Sequence, residues 1–193
     1  MAPGIASWQE LLKRALTGSS PAAHYFQLAT ADEDGIPDSR TVVFRGFLPT
    51  DDDIAFVSDS RSAKVRQANA NPHGAICWYI GEKRQQFRLQ GRLIVVGAET
   101  ENTELAQARQ SAWKRLTRRT RMQFFWPEPG AVRTPDPRFE PAEPEDAHIP
   151  ENFVFCFLSA ERVFHLDLNH RPPDRFLFER QADNAWQLQA VNP

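Results

Sequence analysis

Cysteine is scarce in this chain. Cys77 and Cys156 are the only two in 193 residues. Neither sits in a CxxC pair or a histidine cluster, so the sequence offers neither a disulfide scaffold nor a zinc ribbon. Both lie in apolar, strand-like runs and read as buried free thiols of a cytoplasmic protein. Lysine is scarce as well. Lys13, Lys64, Lys83 and Lys114 are the four, against 19 arginines. Arginine is favoured for bidentate phosphate and carboxylate contacts, although GC-rich coding or surface pairing accounts for such an excess equally well. No apolar run approaches the roughly 18–20 residues of a membrane span. The first eight residues lack a basic stretch followed by an apolar one and do not read as a secretory signal. The net charge of -2 and pI near 6.2 lack the basic excess of a non-specific nucleic-acid binder. Partners among nucleic acids or membranes are therefore not expected.

Familiar catalytic signatures are missing too. There is no GxGxxG or GxxxxGK[ST] phosphate loop and no GxSxG elbow. The five histidines show no HExxH spacing, so no metal site is expected. The acidic run Asp51-Asp52-Asp53 lies between two strand-like segments and reads as a solvated turn.

What remains is an ordinary globular chain, 41% hydrophobic and 25% charged. Its length suits one domain of about 100–200 residues, here taken as residues 1–193. Ser7 to Thr17 reads as an amphipathic helix, with Ser7 and Glu10 forming a capping box. Strands are expected at His24–Thr30 and Ser39–Phe47, joined by a hairpin around Asp34-Gly35. Further strands are expected at Ile54–Ser58, His73–Ile80 and Gln85–Gly97. A long or bent strand at Phe153–Leu168 and a closing hairpin, Asp174–Arg180 with Ala185–Ala190, complete the set. Helices are expected at Ser60–Asn69 and Glu101–Arg119. Seven prolines mark residues 127–151 as a long loop. The count is about seven strands and three helices, and short connections favour antiparallel pairing. The fold class is therefore mainly β with flanking helices (α+β), the sheet closing on itself to remove its edges.

Four features carry possible chemistry. Arg40 and Arg45 bracket Thr41-Val42-Val43-Phe44; an odd spacing on a strand sends them to opposite faces. They are either two surface arginines or cations of two different pockets. Lys64 lies one turn into a helix that opens with Ser60-Arg61-Ser62, an arrangement suited to an anion. In Arg84-Gln85-Gln86-Phe87-Arg88, a glutamine on an alternating strand can bond the edge of a heterocycle through donor and acceptor together. The fourth, Arg171-Pro172-Pro173-Asp174-Arg175, precedes the last hairpin and reads equally as a charged turn.

In their order and spacing these segments resemble the pyridoxamine 5′-phosphate oxidase-like FMN-binding family, from about Phe26 to the C-terminus. Arg40-Thr41-Val42-Val43-Phe44-Arg45 is similar to the family's Arg-x-Val-Leu-Leu-Lys strand. Phe56-Val57-Ser58-Asp59 is similar to Phe-Tyr-Thr-Asn, Ser62-Ala63-Lys64 to Ser-Arg-Lys, and Arg171-Pro172-Pro173-Asp174-Arg175 to Arg-Leu-His-Asp-Arg. The resemblance implies a split β-barrel that forms a homodimer with FMN at the subunit interface. It implies that Arg40 and Lys64, with Ser58 and Ser62, hold the FMN phosphate, beside Val57. The backbone at Thr41, Val42 and Val43 would face the isoalloxazine, and Gln86 its polar edge. His165 stands where the family has a tryptophan near the flavin, and Arg175 would reach the flavin from the second subunit. Arg45 and Arg171 would be the substrate-facing cations.

The implied activity is hydride transfer from a small substrate, phosphorylated or not, to FMN. A flavin reductase using NAD(P)H and a non-catalytic FMN-binding module remain alternatives, as does a barrel that has lost its cofactor. The departures fall on the substrate side: Arg45 replaces a lysine, Pro173 a histidine, and Ala63 an arginine that Arg61 could replace. Trp78, Tyr79, Phe124, Phe125 and Trp126 are candidate interface aromatics, or ordinary core residues.

Overall fold

The computed structural model describes residues 6–48, 53–139 and 148–193. The sequence readings at residues 1–5, at Asp51-Asp52 and at 140–147 of the proline-rich loop lie outside them. Nine strands are described: β1 Tyr25–Ala31, β2 Pro37–Val43, β3 Gly46–Phe47, β4 Asp53–Asp59, β5 His73–Ile80, β6 Gln85–Val96, β7 Phe153–Asp167, β8 Asp174–Arg180 and β9 Trp186–Ala190. They form one antiparallel sheet in the order β2-β1-β5-β6-β7-β4-β3, with β8 and β9 continuing from the far half of β7. Four α-helices pack around it: α1 Trp8–Leu16, α2 Ala63–Ala70, α3 Thr103–Arg115 and α4 Arg118–Met122. None of the described helices is long and apolar enough to cross a membrane.

Alternation decides the faces of the sheet. On β6, Phe87, Leu89, Gly91 and Leu93 point inward while Arg88, Gln90 and Arg92 point to solvent. Strand β7 departs from this rule. Its first six residues, Phe153–Leu158, are all buried. Val154, Cys156 and Leu158 enter the barrel core, while Phe155 and Phe157 pack under α3 and Phe153 joins Trp113, Leu116 and Phe124. A strand covered on both faces must be apolar throughout, and this one is.

The helices finish the core. In α1, Ser7 Oγ accepts from Glu10 N and the Glu10 carboxylate accepts from Ser7 N, the expected capping box. That fixes Trp8, fully buried against Phe47 and Trp186 with ring centroids 6.4 and 5.7 Å away. From α3, the buried Arg109 donates to the carbonyls of Phe153 and Pro150, both at 3.0 Å, and its guanidinium lies over the Phe153 ring.

Two expected elements are interrupted. The strand expected at Ser39–Phe47 ends at Val43 and resumes at Gly46, where φ of +124° needs a residue without a Cβ. The helix expected at Glu101–Arg119 breaks at Leu116, whose backbone is extended, and Thr117 caps a new helix by accepting from Thr120 N. Trp78 and Phe124 are core residues, buried to 0% and 8% exposure, whereas Tyr79 stands 51% exposed.

On β7, Glu161 has no partner on β6: Gln90 pairs with Arg162 and Gly91 with Ala160. This bulge brings the Ser159 carbonyl so close to Gly91 that a Cβ there would lie 1.9 Å from its oxygen. Gly91→Ala should therefore destabilise the protein by about 3 kcal/mol, because backbone must move to accept it. Urea unfolding of the two proteins measures this; an unchanged midpoint would show that the bulge relaxes freely.

Candidate functional site

The first cluster forms where β4 meets α2. Ser58 is the last inward-facing residue of β4 and is buried. The chain then turns through residues 59–62, with Ser62 N donating to Asp59 O at 3.0 Å and Arg61 N donating to Asp59 Oδ1 at 2.9 Å. Helix α2 begins immediately, which brings Lys64 back over Ser58. Lys64 Nζ donates to Ser58 Oγ at 3.3 Å, Ser58 Oγ and Ser62 Oγ are 3.1 Å apart, and Ser62 Oγ donates to Asp59 O at 2.7 Å.

Arg40 arrives from β2. Its Nη1 donates to Thr30 Oγ1 at 2.6 Å and to Leu28 O at 3.3 Å; its Nη2 donates to Gln67 Oε1 at 2.9 Å and Asp38 Oδ2 at 2.6 Å. Strand and helix thus aim two cations at one place. Burial lowers the Lys64 pKa from the ordinary lysine value, and the charge of Arg40 lowers it further, against the weaker pull of Asp59 and Asp38. Among the described residues, no carboxylate pairs with Lys64.

Two neighbouring cations, two buried hydroxyls and the unbonded first amides of a helix make a cradle for an anion that carries more than one charge. Thr30 and Gln67, which hold Arg40, were not singled out from the sequence. Gln67 lies three residues beyond Lys64, so helical spacing is the signal that could have found it.

The second cluster is a face of the sheet. Cross-strand partners share a face, and the register sets Tyr79, Gln86, Leu166 and Arg175 in one outward row across β5, β6, β7 and β8. The next outward row runs from Thr41 through Gln27, Cys77, Arg88 and Phe164 to Leu177. Gln86 Nε2 contacts Cys77 Sγ at 3.8 Å, and Arg88 and Arg175 lie over the Phe164 ring at 5.4 and 5.2 Å. Thr41, Val43, Gln86 and Arg175 therefore share the outer face, on which Tyr25 and Tyr79 are about half exposed. Val42 alternates inward into the core, leaving only its backbone available there. Val57 faces the α3 side of β4, away from Ser58.

The third location is a groove of about 1040 Å³ between α3 and strands β3 and β4. Its floor includes Phe44, Phe47 and Phe155, and its cations are Arg45 and Arg115. Arg45 N donates to Ala55 O at 2.8 Å, and its guanidinium has no hydrogen-bond or ion-pair partner among the described residues. Arg40 and Arg45 thus reach different sites, through the break after Val43 rather than through uninterrupted alternation. Arg115 and Ser111 of the groove were not foreseen; only the packing of α3 puts them there.

Three further candidates have surroundings of their own. Arg171 lies in the exposed loop between β7 and β8 and does not line the Arg45 groove within one chain. Arg61 does not turn toward Lys64; its guanidinium is engaged by the Asp59 carboxylate at 2.6 Å and the Trp126 carbonyl at 3.1 Å. His165 belongs to an inward row with Trp78, Phe87 and Phe176. It is 2% exposed and stacked on Phe87 at 4.6 Å, so in this conformation its ring is closed to a bound flavin.

Comparison with known proteins agrees with this fold. Residues 5–97 match the family described as pyridoxamine 5′-phosphate oxidase, FMN-binding domain. The whole chain aligns with the whole of pyridoxine/pyridoxamine 5′-phosphate oxidase 2 of Arabidopsis thaliana at 32% identity. A crystal structure of a pyridoxamine 5′-phosphate oxidase-related, FMN-binding protein from Nostoc punctiforme superposes with a TM-score of 0.93. That match has 36% identity and covers 98% of this chain and 100% of the other. PhzG from Burkholderia lata, solved with tetrahydrophenazine-1-carboxylic acid, superposes at 0.76 with 21% identity over 95% and 91% of the two chains, a likeness of fold.

His165 yields a test. Neither ring nitrogen has a hydrogen-bond partner among the described residues, and burial lowers the pKa below the ordinary value of 6.5, against the nearby Asp167 and Asp174. The folded protein therefore keeps the ring neutral where the unfolded chain binds a proton. Stability should fall as pH drops below about 6.5, by at most about 1.4 kcal/mol per pH unit, until the folded-state pKa is reached. His165→Phe should flatten that slope in chemical denaturation between pH 5 and 6.5. An identical slope in the variant would place the proton uptake elsewhere.

Proposed function

This chain belongs to the pyridoxamine 5′-phosphate oxidase family of FMN-binding proteins, and on that premise we propose that it is an FMN-dependent oxidoreductase acting on a small substrate. FMN is its cofactor. The observation that carries the reading is that Lys64 bonds the Ser58 hydroxyl, which meets that of Ser62, with the charge of Arg40 close enough to lower the Lys64 pKa. These four residues suit a terminal phosphate, which brings negative charge to Lys64, unmatched by any carboxylate among the described residues, and to Arg40, matched only by the half-exposed Asp38. The backbone of Thr41, Val42 and Val43 would lie against the ring system, and Gln86 would bond its polar edge with amide donor and acceptor.

A second copy of the chain completes the site in this reading. The outer face carries half-exposed Tyr25 and Tyr79 beside Phe164 and Leu166, a surface suited to a homodimer with the flavin between subunits. Arg175 would then approach the flavin from the second copy. FMN, when bound, supplies the redox chemistry itself, taking a hydride from a carbon of the substrate. The chain's own task is to bind and orient. Arg45, whose guanidinium is unpaired among the described residues in its aromatic-floored groove, would hold an anionic group of the substrate, phosphate or carboxylate. Arg171 would close over it from the second copy. Pro173 cannot supply the imidazole that the family has there, so positioning at this point falls to the two arginines. The unpaired Cys77 and Cys156 suit the cytoplasm.

The test is spectroscopic. The purified protein should show the two visible absorption bands of bound flavin. Lys64→Met should weaken FMN binding about tenfold or more, the worth of one charge-assisted contact. Anaerobic pyridoxamine 5′-phosphate, followed by NADPH, identifies the electron donor. Bleaching by the first supports an oxidase of the family type. Bleaching by NADPH alone moves the assignment to a flavin reductase, and bleaching by neither to a flavin-binding module. A protein that cannot be loaded with FMN would overturn the reading.

A further inference from the structure

We propose that Asp59 is the positioning residue of the phosphate cradle, and that through Arg61 and Asn152 it ties the cradle to the segment carrying Phe124 and Trp126. The proposal rests on the reading that the Arg40–Lys64 cluster takes the FMN phosphate.

Asp59 stands at the hinge between β4 and α2 and acts through both its side chain and its backbone. Its carboxylate accepts from its own turn: Arg61 N reaches Oδ1 at 2.9 Å, closing an Asx turn. Its carbonyl accepts from Ser62 N at 3.0 Å and from Ser62 Oγ at 2.7 Å. The conformation of one residue therefore sets the direction of the Ser62 hydroxyl and the point at which α2 begins. It also sets where Lys64 comes down over Ser58.

The same carboxylate is braced from outside the turn. Arg61 Nε and Nη2 donate to Oδ1 and Oδ2 at 2.9 and 2.6 Å, and Asn152 Nδ2 donates to Oδ2 at 2.7 Å. Burial opposes the charge, but these hydrogen bonds and the Arg61 cation outweigh it and hold the carboxyl below its ordinary range. The braces lead onward. Asn152 Nδ2 also donates to the Phe124 carbonyl at 2.8 Å, Arg61 Nη2 donates to the Trp126 carbonyl at 3.1 Å, and Ser60 N donates to Asn152 O at 2.8 Å. A turn of four residues is thus held against two distant segments by one carboxylate. Asp59 itself donates nothing to the cradle; beyond a weak pull that favours the charge of Lys64, its side chain acts by fixing groups that do.

Riboflavin separates positioning from general support, because it has the flavin ring and no phosphate. In the full-length protein, flavin fluorescence titration gives the affinities for FMN and riboflavin, and the wild type should prefer FMN. Asp59→Ala should lower that preference about tenfold, through FMN alone, with riboflavin affinity essentially unchanged. Asp59→Asn keeps an acceptor for the Arg61 amide and should restore part of the preference. Should Asp59→Ala fail to fold, Asn152→Ala carries the test, removing the outer brace and lowering the preference a few-fold. A preference unchanged in the variants overturns the proposal. So does a parallel loss of both ligands, which would make Asp59 a structural residue only. A wild type that binds both flavins equally overturns the phosphate cradle itself, a different failure.

Discussion

Strand β7 has to satisfy two cores at once, and the rest of the molecule is arranged around that requirement. Residues Phe153–Leu158 send alternate side chains into the barrel and under α3, with β4 on one side and β6 on the other. Six successive buried residues leave no polar position at which the strand could slip by one, because a slip would exchange the two sets of side chains between cores of different shape. The register then places Ser58 against Val154 and Asp59 against Phe153. The end of β4, where the cradle forms, is thereby set by packing some distance from any charge.

The cradle gathers like charges, and the fold has to hold them there. Arg40 is tied by Thr30, Gln67 and Asp38, so its position depends on strand and helix together. Lys64 has only the Ser58 hydroxyl among the described residues, and it lies in a site whose burial and neighbouring cation both disfavour its charge. An arrangement that is uncomfortable without an anion becomes favourable with one. That asymmetry links the local electrostatics to cofactor binding more directly than the number of contacts does. The groove beside Arg45 follows a different logic, with an aromatic floor and cations at its wall, and the outer face a third, with aromatics open to a second copy.

Much of this was legible in the residues. Period-two alternation located β5 and β6 closely, and Ser7 with Glu10 announced α1. Arg40, Ser58, Ser62 and Lys64 could be grouped because their order and spacing resemble a known pattern, and in the structure Lys64 meets the Ser58 and Ser62 hydroxyls with the charge of Arg40 nearby. The misses have physical causes. Gly46 ends a run that is β-branched and aromatic on both sides, and only its positive φ reveals the break. The bulge at Glu161 depends on how β7 meets β6, which no single segment records. His165 is one residue out of step with Leu166 and Arg175, so its place opposite a family tryptophan said nothing about which face it takes. Arg61 is claimed by Asp59 two residues earlier, a local competitor that a motif alignment does not weigh.

Arg109 gives the fold a property of a different kind. Its guanidinium pins the carbonyls of Pro150 and Phe153 to α3 at the point where the proline-rich segment hands over to β7. Whatever happens upstream is stopped at that staple before it reaches the strand. A change in the described residues between the Trp126 segment and Pro150 would have to displace that staple before it altered the pairing of β7 with β4 and β6.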